Sequence, residues 1–173
     1  MTSDSDRILP GWILVVALVT FVIYALNFLY FFVDDEGIPF VYAQNLLRGR
    51  GLLYTQFEGP VDGYTDFLHV MFDALVLLIV RVLELPKLSV FFVGKAASFL
   101  AGTATVAVVF LTMRHLRNVK LAGAVAGLGV LCLAGPFAVW SCSSLETVPF
   151  TFFVVLLVFA LSVDPESPAS VRP

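Results

Sequence analysis

The chain has 173 residues, of which 60% are hydrophobic and 13% charged, and its mean hydropathy is +0.97. A soluble domain carries about 25% charged and about 45–50% apolar residues, and a fold of this size cannot hide that much apolar surface, so an ordinary soluble fold is excluded. The net charge of −3, without a basic patch interleaved with aromatics, gives no footing for nucleic acid.

In chain order, residues 1–10 are polar and short. Trp12 to Val33 is a continuous apolar run, too long for the core of a cleaved signal and ending in bulky aromatics rather than small residues. It is read as an uncleaved spanning helix with an aromatic interfacial end. Asp34-Asp35-Glu36 follows, then a short amphipathic helix over 39–48 with Phe40, Ala43 and Leu47 on one face and Pro39 in its first turn. Gly49 and Gly51 stop it. Residues 52–66 read as loop, with turn pairs at Gly59-Pro60 and Asp62-Gly63.

Residues 67–85 are apolar enough to span but carry His69, Asp73, Arg81 and Glu84. Charges within a span are costly, so this stretch fits a helix lying in the interface. Leu88 to Met113 reads as a span with Lys95 as its one charge, snorkelling or touching a phosphate. The basic loop 114–120 follows. Leu121 to Trp140 reads as one further span, its Gly123 and Gly127 spaced for close helix packing. The polar hinge 141–147 leads into a last span over 148–163, and a Pro-rich tail, 164–173, is expected to be disordered. Cys132 and Cys142, ten residues apart, read as buried inert thiols.

Basic loops stay cytoplasmic. If 67–85 is interfacial, Arg114, Arg117 and Lys120 fall inside while the acidic loop and Glu146 share the outer face. The expected architecture is therefore all-α and polytopic: four spans near 12–33, 88–113, 121–140 and 148–163, a cytoplasmic N-terminus and an extracytoplasmic region 34–87. Five spans is the alternative.

Several groups could carry chemistry. Asp34 and Asp35 at the mouth of a span suit a general base or a divalent cation such as Mg or Mn, or simply mark the membrane boundary. His69 and Asp73, four apart, share a helix face and would ligate a metal or a phosphate, or His69 is simply a polar residue snorkelling from an interfacial helix. Glu146 would bind a substrate hydroxyl or serve as a loop charge. Arg48 and Arg50, beside glycines, would grip phosphate or anchor the interface. No inverted repeat or broken helix pair is evident, which leaves a transporter least supported.

The order of motifs resembles the N-terminal part of the GT-C polytopic glycosyltransferases, nearest the arabinofuranosyltransferase-like branch. The resemblance rests on Asp34-Asp35, Tyr42-Ala43-Gln44-Asn45-Leu46, Gly49-Arg50-Gly51-Leu52, Asp62-Gly63-Tyr64-Thr65-Asp66-Phe67-Leu68-His69 and Ser143-Ser144-Leu145-Glu146-Thr147, from Val33 to Phe150. Asp62, Asp66, His69 and Ser144 depart from that branch's Glu, Asn, Trp and Gly. The resemblance implies a membrane enzyme moving a sugar from a polyprenyl-phosphate donor to a glycan or lipid-linked acceptor hydroxyl at the outer face of the cell membrane. Asp34 or Asp35 would be the base, or hold the cation. Tyr64, Thr65, Asp66, His69, Glu146, Arg48 and Arg50 would contact substrate. Family members carry many more spans, so the chain is expected to be the front part of such an enzyme. A non-catalytic remnant, or a subunit whose site a partner chain completes, is the alternative.

Overall fold

The computed structural model describes residues 9–55, 57, 66–116 and 119–163. The expected turns at Gly59-Pro60 and Asp62-Gly63, the candidates Tyr64 and Thr65, Arg117 and the tail lie outside the described residues. Seven helices and no strand occur among the described residues: α1 Gly11–Leu26, α2 Gly37–Leu47, α3 Phe67–Val82, α4 Ser89–His115, α5 Leu121–Cys132, α6 Gly135–Ser141 and α7 Thr147–Val163, with a 3-10 turn at Asp34–Glu36 before α2. The all-α expectation holds.

The expected spans differ in detail. Among the described residues only α4, 27 residues, is long and apolar enough to cross a membrane unaided. The first span ends at Leu26 rather than Val33. Asn27 is the cause: its side-chain amide donates to the carbonyls of Ile23 (2.9 Å) and Tyr24 (3.0 Å). It thereby takes carbonyls the helix would otherwise use. At 16 residues α1 rises about 24 Å. The expected single span 121–140 is instead α5 and α6, bent by 54°. Leu133 and Ala134 leave the helix, and Pro136 sits in the first turn of α6, where its missing N–H costs nothing. The broken helix pair not evident in the sequence is therefore present. Arg81 and Glu84 fall at the C-terminal end of α3 and just beyond it, so only His69 and Asp73 lie in its first two turns. α3 is not among the helices apolar enough to count toward a span.

One core joins α1, α4, α5 and α6 through Phe21, Val106, Phe110, Ala124, Leu128 and Ala138. Both cysteines are free and buried there, their thiols donating to the α1 carbonyls of Ala17 and Ala25. A second core packs α2 on α3 and the start of α4 through Tyr42, Val70, Val76, Val80 and Val90. α7 lies along α4 in the same direction: Ser98 Oγ donates to the Leu145 carbonyl (3.1 Å) at one end. Leu111 and Arg114 meet Phe159 and Val163 around a hollow at the other. The acidic turn, α2 and the Glu146 hinge thus gather at the N-terminal end of α4, and Arg114 sits at the opposite end.

Close approach at α4 depends on glycines the spacing argument did not single out. A Cβ on Gly94 would lie 2.7 Å from Ser144 Cβ, and one on Gly102 would lie 2.5 Å from Ser141 Oγ. Gly127 does meet Met113, at 3.0 Å, whereas Gly123 faces open space.

Candidate functional site

The acidic triplet divides by role. Asp34 and Asp35 are exposed, and Glu36 is 1% exposed. The 3-10 turn points Glu36 back into the protein, where its Oε1 lies 3.5 Å from Lys95 Nζ and accepts from the Val33 N–H (3.4 Å). Glu36 Oε2 accepts from the Ser144 hydroxyl at 2.8 Å. Lys95 also donates to the carbonyls of Phe31 and Cys142, and its ammonium stands 5.1 Å from the centroid of the Phe32 ring. Lys95 therefore neither snorkels nor waits for a phosphate. It is a buried cation with a full set of partners, the condition under which burial is tolerated. This cluster ties the acidic turn, α4 and the 142–144 hinge into one unit, with Asp34 and Asp35 held at its exposed edge. Asp34 Oδ1 accepts from the Asp35 N–H (3.1 Å).

Beside that unit, α3, α4 and α7 enclose a groove of about 570 Å³. Its walls are apolar, with Leu100, Ala101 and Ala104 from α4 and Phe150 and Phe153 from α7. Asp66, His69 and Glu146 also line it. Asp66 is the N-cap of α3, its carboxylate accepting from the N–H groups of Leu68 (3.0 Å) and His69 (3.3 Å), which satisfies two otherwise unpaired donors. His69 is buried, with the Ser144 backbone beside its ring. Its Nε2 faces Asp73 Oδ2 at 3.7 Å, beyond hydrogen-bonding reach. That nitrogen and both Asp73 oxygens are buried without hydrogen-bond partners. Burial lowers the His69 pKa, partly opposed by Glu146 and Asp66. Burial, reinforced by Glu146, pushes the Asp73 carboxyl up to about 8. Both members of the pair are therefore neutral at pH 7. The carboxylate of Glu146, a half-buried residue whose backbone carbonyl accepts from the Phe150 N–H (2.8 Å), forms no hydrogen bond or ion pair among the described residues and is the groove's unengaged acid.

The sequence candidates are thus partly assembled. Asp66, His69 and Glu146 converge on the groove; Asp34 and Asp35 lie outside its lining, at the edge of the Glu36 cluster. Arg48 and Arg50 are exposed, and Arg48 lines a separate groove on the far face of α2 and α3. Among the described residues no group of three His, Cys, Asp or Glu side chains converges as a cation site. Asp34 and Asp35 supply two adjacent exposed carboxylates without a third ligand. Sequence reasoning missed the Glu36–Lys95–Ser144 cluster, although a lone Lys within an apolar helix was the signal that a buried acid must exist to meet it. No family model, curated protein or solved structure matches the chain.

Proposed function

We propose that the chain is a membrane glycosyltransferase, or part of one, that moves a sugar from a polyprenyl-phosphate donor to an acceptor hydroxyl, spanning the membrane several times with α3 at its outer surface. The observation that carries this reading is the groove between α3, α4 and α7. It combines an apolar trough along the helix apolar enough to cross the membrane with an unengaged carboxylate at the end where the acidic turn lies. A lipid-linked sugar has the same division, a long apolar tail and a polyhydroxylated head. Carboxylates are natural acceptors for sugar hydroxyls, and Glu146 and Asp66 would bind the head while Ala101, Ala104 and Phe153 line the tail. Asp34 or Asp35 takes the acceptor proton. The acceptor oxygen then bonds to the anomeric carbon from the face opposite the phosphate, and the C–O bond to phosphate breaks with inversion. The cationic group that would steady the departing phosphate is not Lys95, which Glu36 already neutralises.

A subunit completed by another chain is the second reading, and α7 favours it. Val148 is its one buried residue, while Phe150, Phe153, Leu157 and Leu161 are 59–67% exposed. Further helices, in the same chain or a partner, would close the groove over these side chains.

The test begins with the size of the native species, detected in its own membrane by an antibody to residues 34–66. Sugar transfer is then assayed on that species with Asp34→Ala, Asp35→Ala and Glu146→Gln. Transfer lost in one aspartate variant that still inserts in the membrane supports catalysis. Transfer unchanged in both removes the assigned base.

A further inference from the structure

A second groove, about 670 Å³, lies between α2, the C-terminal half of α3 and the start of α4. Its floor is apolar, with Phe40 and Val80 from the second core. Arg48, Arg81 and Lys87 stand in its lining, one each from the end of α2, the last turn of α3 and the turn before α4, with Glu84 as the one acid among them. None of the three cations forms an ion pair among the described residues. Their convergence is a product of how α3 ends. Glu84 has φ 53°, the left-handed conformation usually left to glycine. The Leu85 N–H then donates back to the Val80 carbonyl (2.9 Å). This reversal brings the chain round so that Lys87 joins Arg81 on one groove.

The position matters as much as the charge. Val90 and Phe91 at the beginning of α4 form part of the wall, so the groove sits where the membrane-crossing helix starts. Arg114 marks the other end of that helix. Leu83 and Leu88, 60% and 69% exposed, flank the same turn and continue the apolar surface outward.

We propose that this groove holds an anionic phospholipid, with its phosphate on Arg48, Arg81 and Lys87 and an acyl chain on the apolar floor. The proposal rests on the membrane placement of α4 but not on sugar transfer. Three cations against one carboxylate leave an excess of positive charge that a phosphodiester meets and that a zwitterionic head meets less well. The apolar floor is what a free phosphate would not use. Arg48, which the sequence grouped with the substrate contacts, is thereby assigned to lipid.

The experiment is lipid retention by the intact protein, transferred from detergent into nanodiscs of phosphatidylglycerol and phosphatidylcholine and released for native mass spectrometry. The wild type is expected to retain one phosphatidylglycerol in preference to phosphatidylcholine. The apparent affinity should fall about fivefold for each cation removed and about a hundredfold in Arg48→Gln/Arg81→Gln/Lys87→Gln. Arg114→Gln, at the other end of α4, is expected to retain the lipid unchanged. If the triple variant does not fold, the exposed single substitution Arg48→Gln carries the comparison. Equal retention of the two lipids, retention unchanged by the substitutions, or displacement of the lipid by inorganic phosphate would each overturn the proposal. A protein that washes from the membrane without detergent fails at the earlier step, the membrane placement itself.

Discussion

Lys95 Nζ lies 3.5 Å from Glu36 Oε1, with the two side chains 6% and 0% exposed. Removing one member of a buried pair leaves the other's charge unsolvated, a loss of about 3–5 kcal/mol, whereas replacing both by neutral groups is far milder. Lys95→Met is expected to destabilise by that amount and Glu36→Gln/Lys95→Met to recover most of it. Denaturant unfolding of the detergent-solubilised protein, followed by helix content, checks both. A double variant as unstable as Lys95→Met would refute the pairing.

Gly94→Ala places a methyl 2.7 Å from Ser144 Cβ. Neither backbone can yield without moving α4 off the hinge, so a loss of about 1–3 kcal/mol is expected. Ser144→Gly removes the obstructing atom but also the hydroxyl that donates to Glu36. The two substitutions together should therefore cost less than the sum of each alone. A double-mutant cycle measures that coupling, and strict additivity would count against the contact.

Asp73 holds a proton in the folded protein that it releases in the unfolded chain between pH 3.8 and about 8. The folded state thus binds more protons across that range, and the contribution of Asp73 to stability declines as pH rises through it. Asp73→Asn cannot ionise. Its melting temperature relative to wild type is expected to climb from pH 4 to pH 8, by about 5 °C or more, and to level off above. His69, Glu146 and Asp66 are common to both proteins; a difference that is flat with pH would dismiss the neutral Asp73.

The N-cap of α3 gives a smaller and more local effect. Asp66→Ala should cost about 1 kcal/mol, and Asp66→Asn only a few tenths, because asparagine caps as well as aspartate. If Asp66→Asn keeps stability but loses sugar transfer, the carboxylate charge serves the groove rather than the helix.

The groove itself is open to a steric test. Ala101→Phe and Ala104→Phe fill its apolar wall and leave the identities of Asp66, His69 and Glu146 unchanged. Both are expected to raise the KM for a lipid-linked donor about tenfold or more, while affecting a short-chain water-soluble analogue much less. Equal loss for the two donors would place the tail elsewhere.

The sequence made the helical class and the ends of several helices legible because those follow from local signals. Hydropathy marked α4, and Gly49 and Gly51 stop α2 at φ 73° and 83°. It was less informative where distant residues decide the outcome. Asn27 closes α1 early through its own side chain, a choice that the surrounding apolar run conceals. Pro136 was visible, but whether it kinks, breaks or merely begins a helix depends on what packs around it. Glu36 looked like a third surface carboxylate until Lys95 and Ser144 met it. At the groove, Asp66, His69 and Ser144 are three of the four departures from the pattern the sequence resembles, and His69 stands between the other two: its N–H donates to the Asp66 carboxylate and the Ser144 backbone lies beside its ring. A linear motif comparison shows each substitution separately and gives no sign of that contact.

The clamp on Glu36 also sets an order of events during synthesis. Its hydroxyl partner, Ser144, lies 108 residues further along the chain. At about 5–20 residues per second, the acidic turn waits about 5–20 s after its own emergence before the last contact of the cluster can form. Through that interval Glu36 has water available only while the turn stays outside the bilayer, so the final docking of the hinge is also the step that draws the turn down onto α4. Substitutions at Ser144 should therefore leave the earlier steps untouched and weaken the finished cluster.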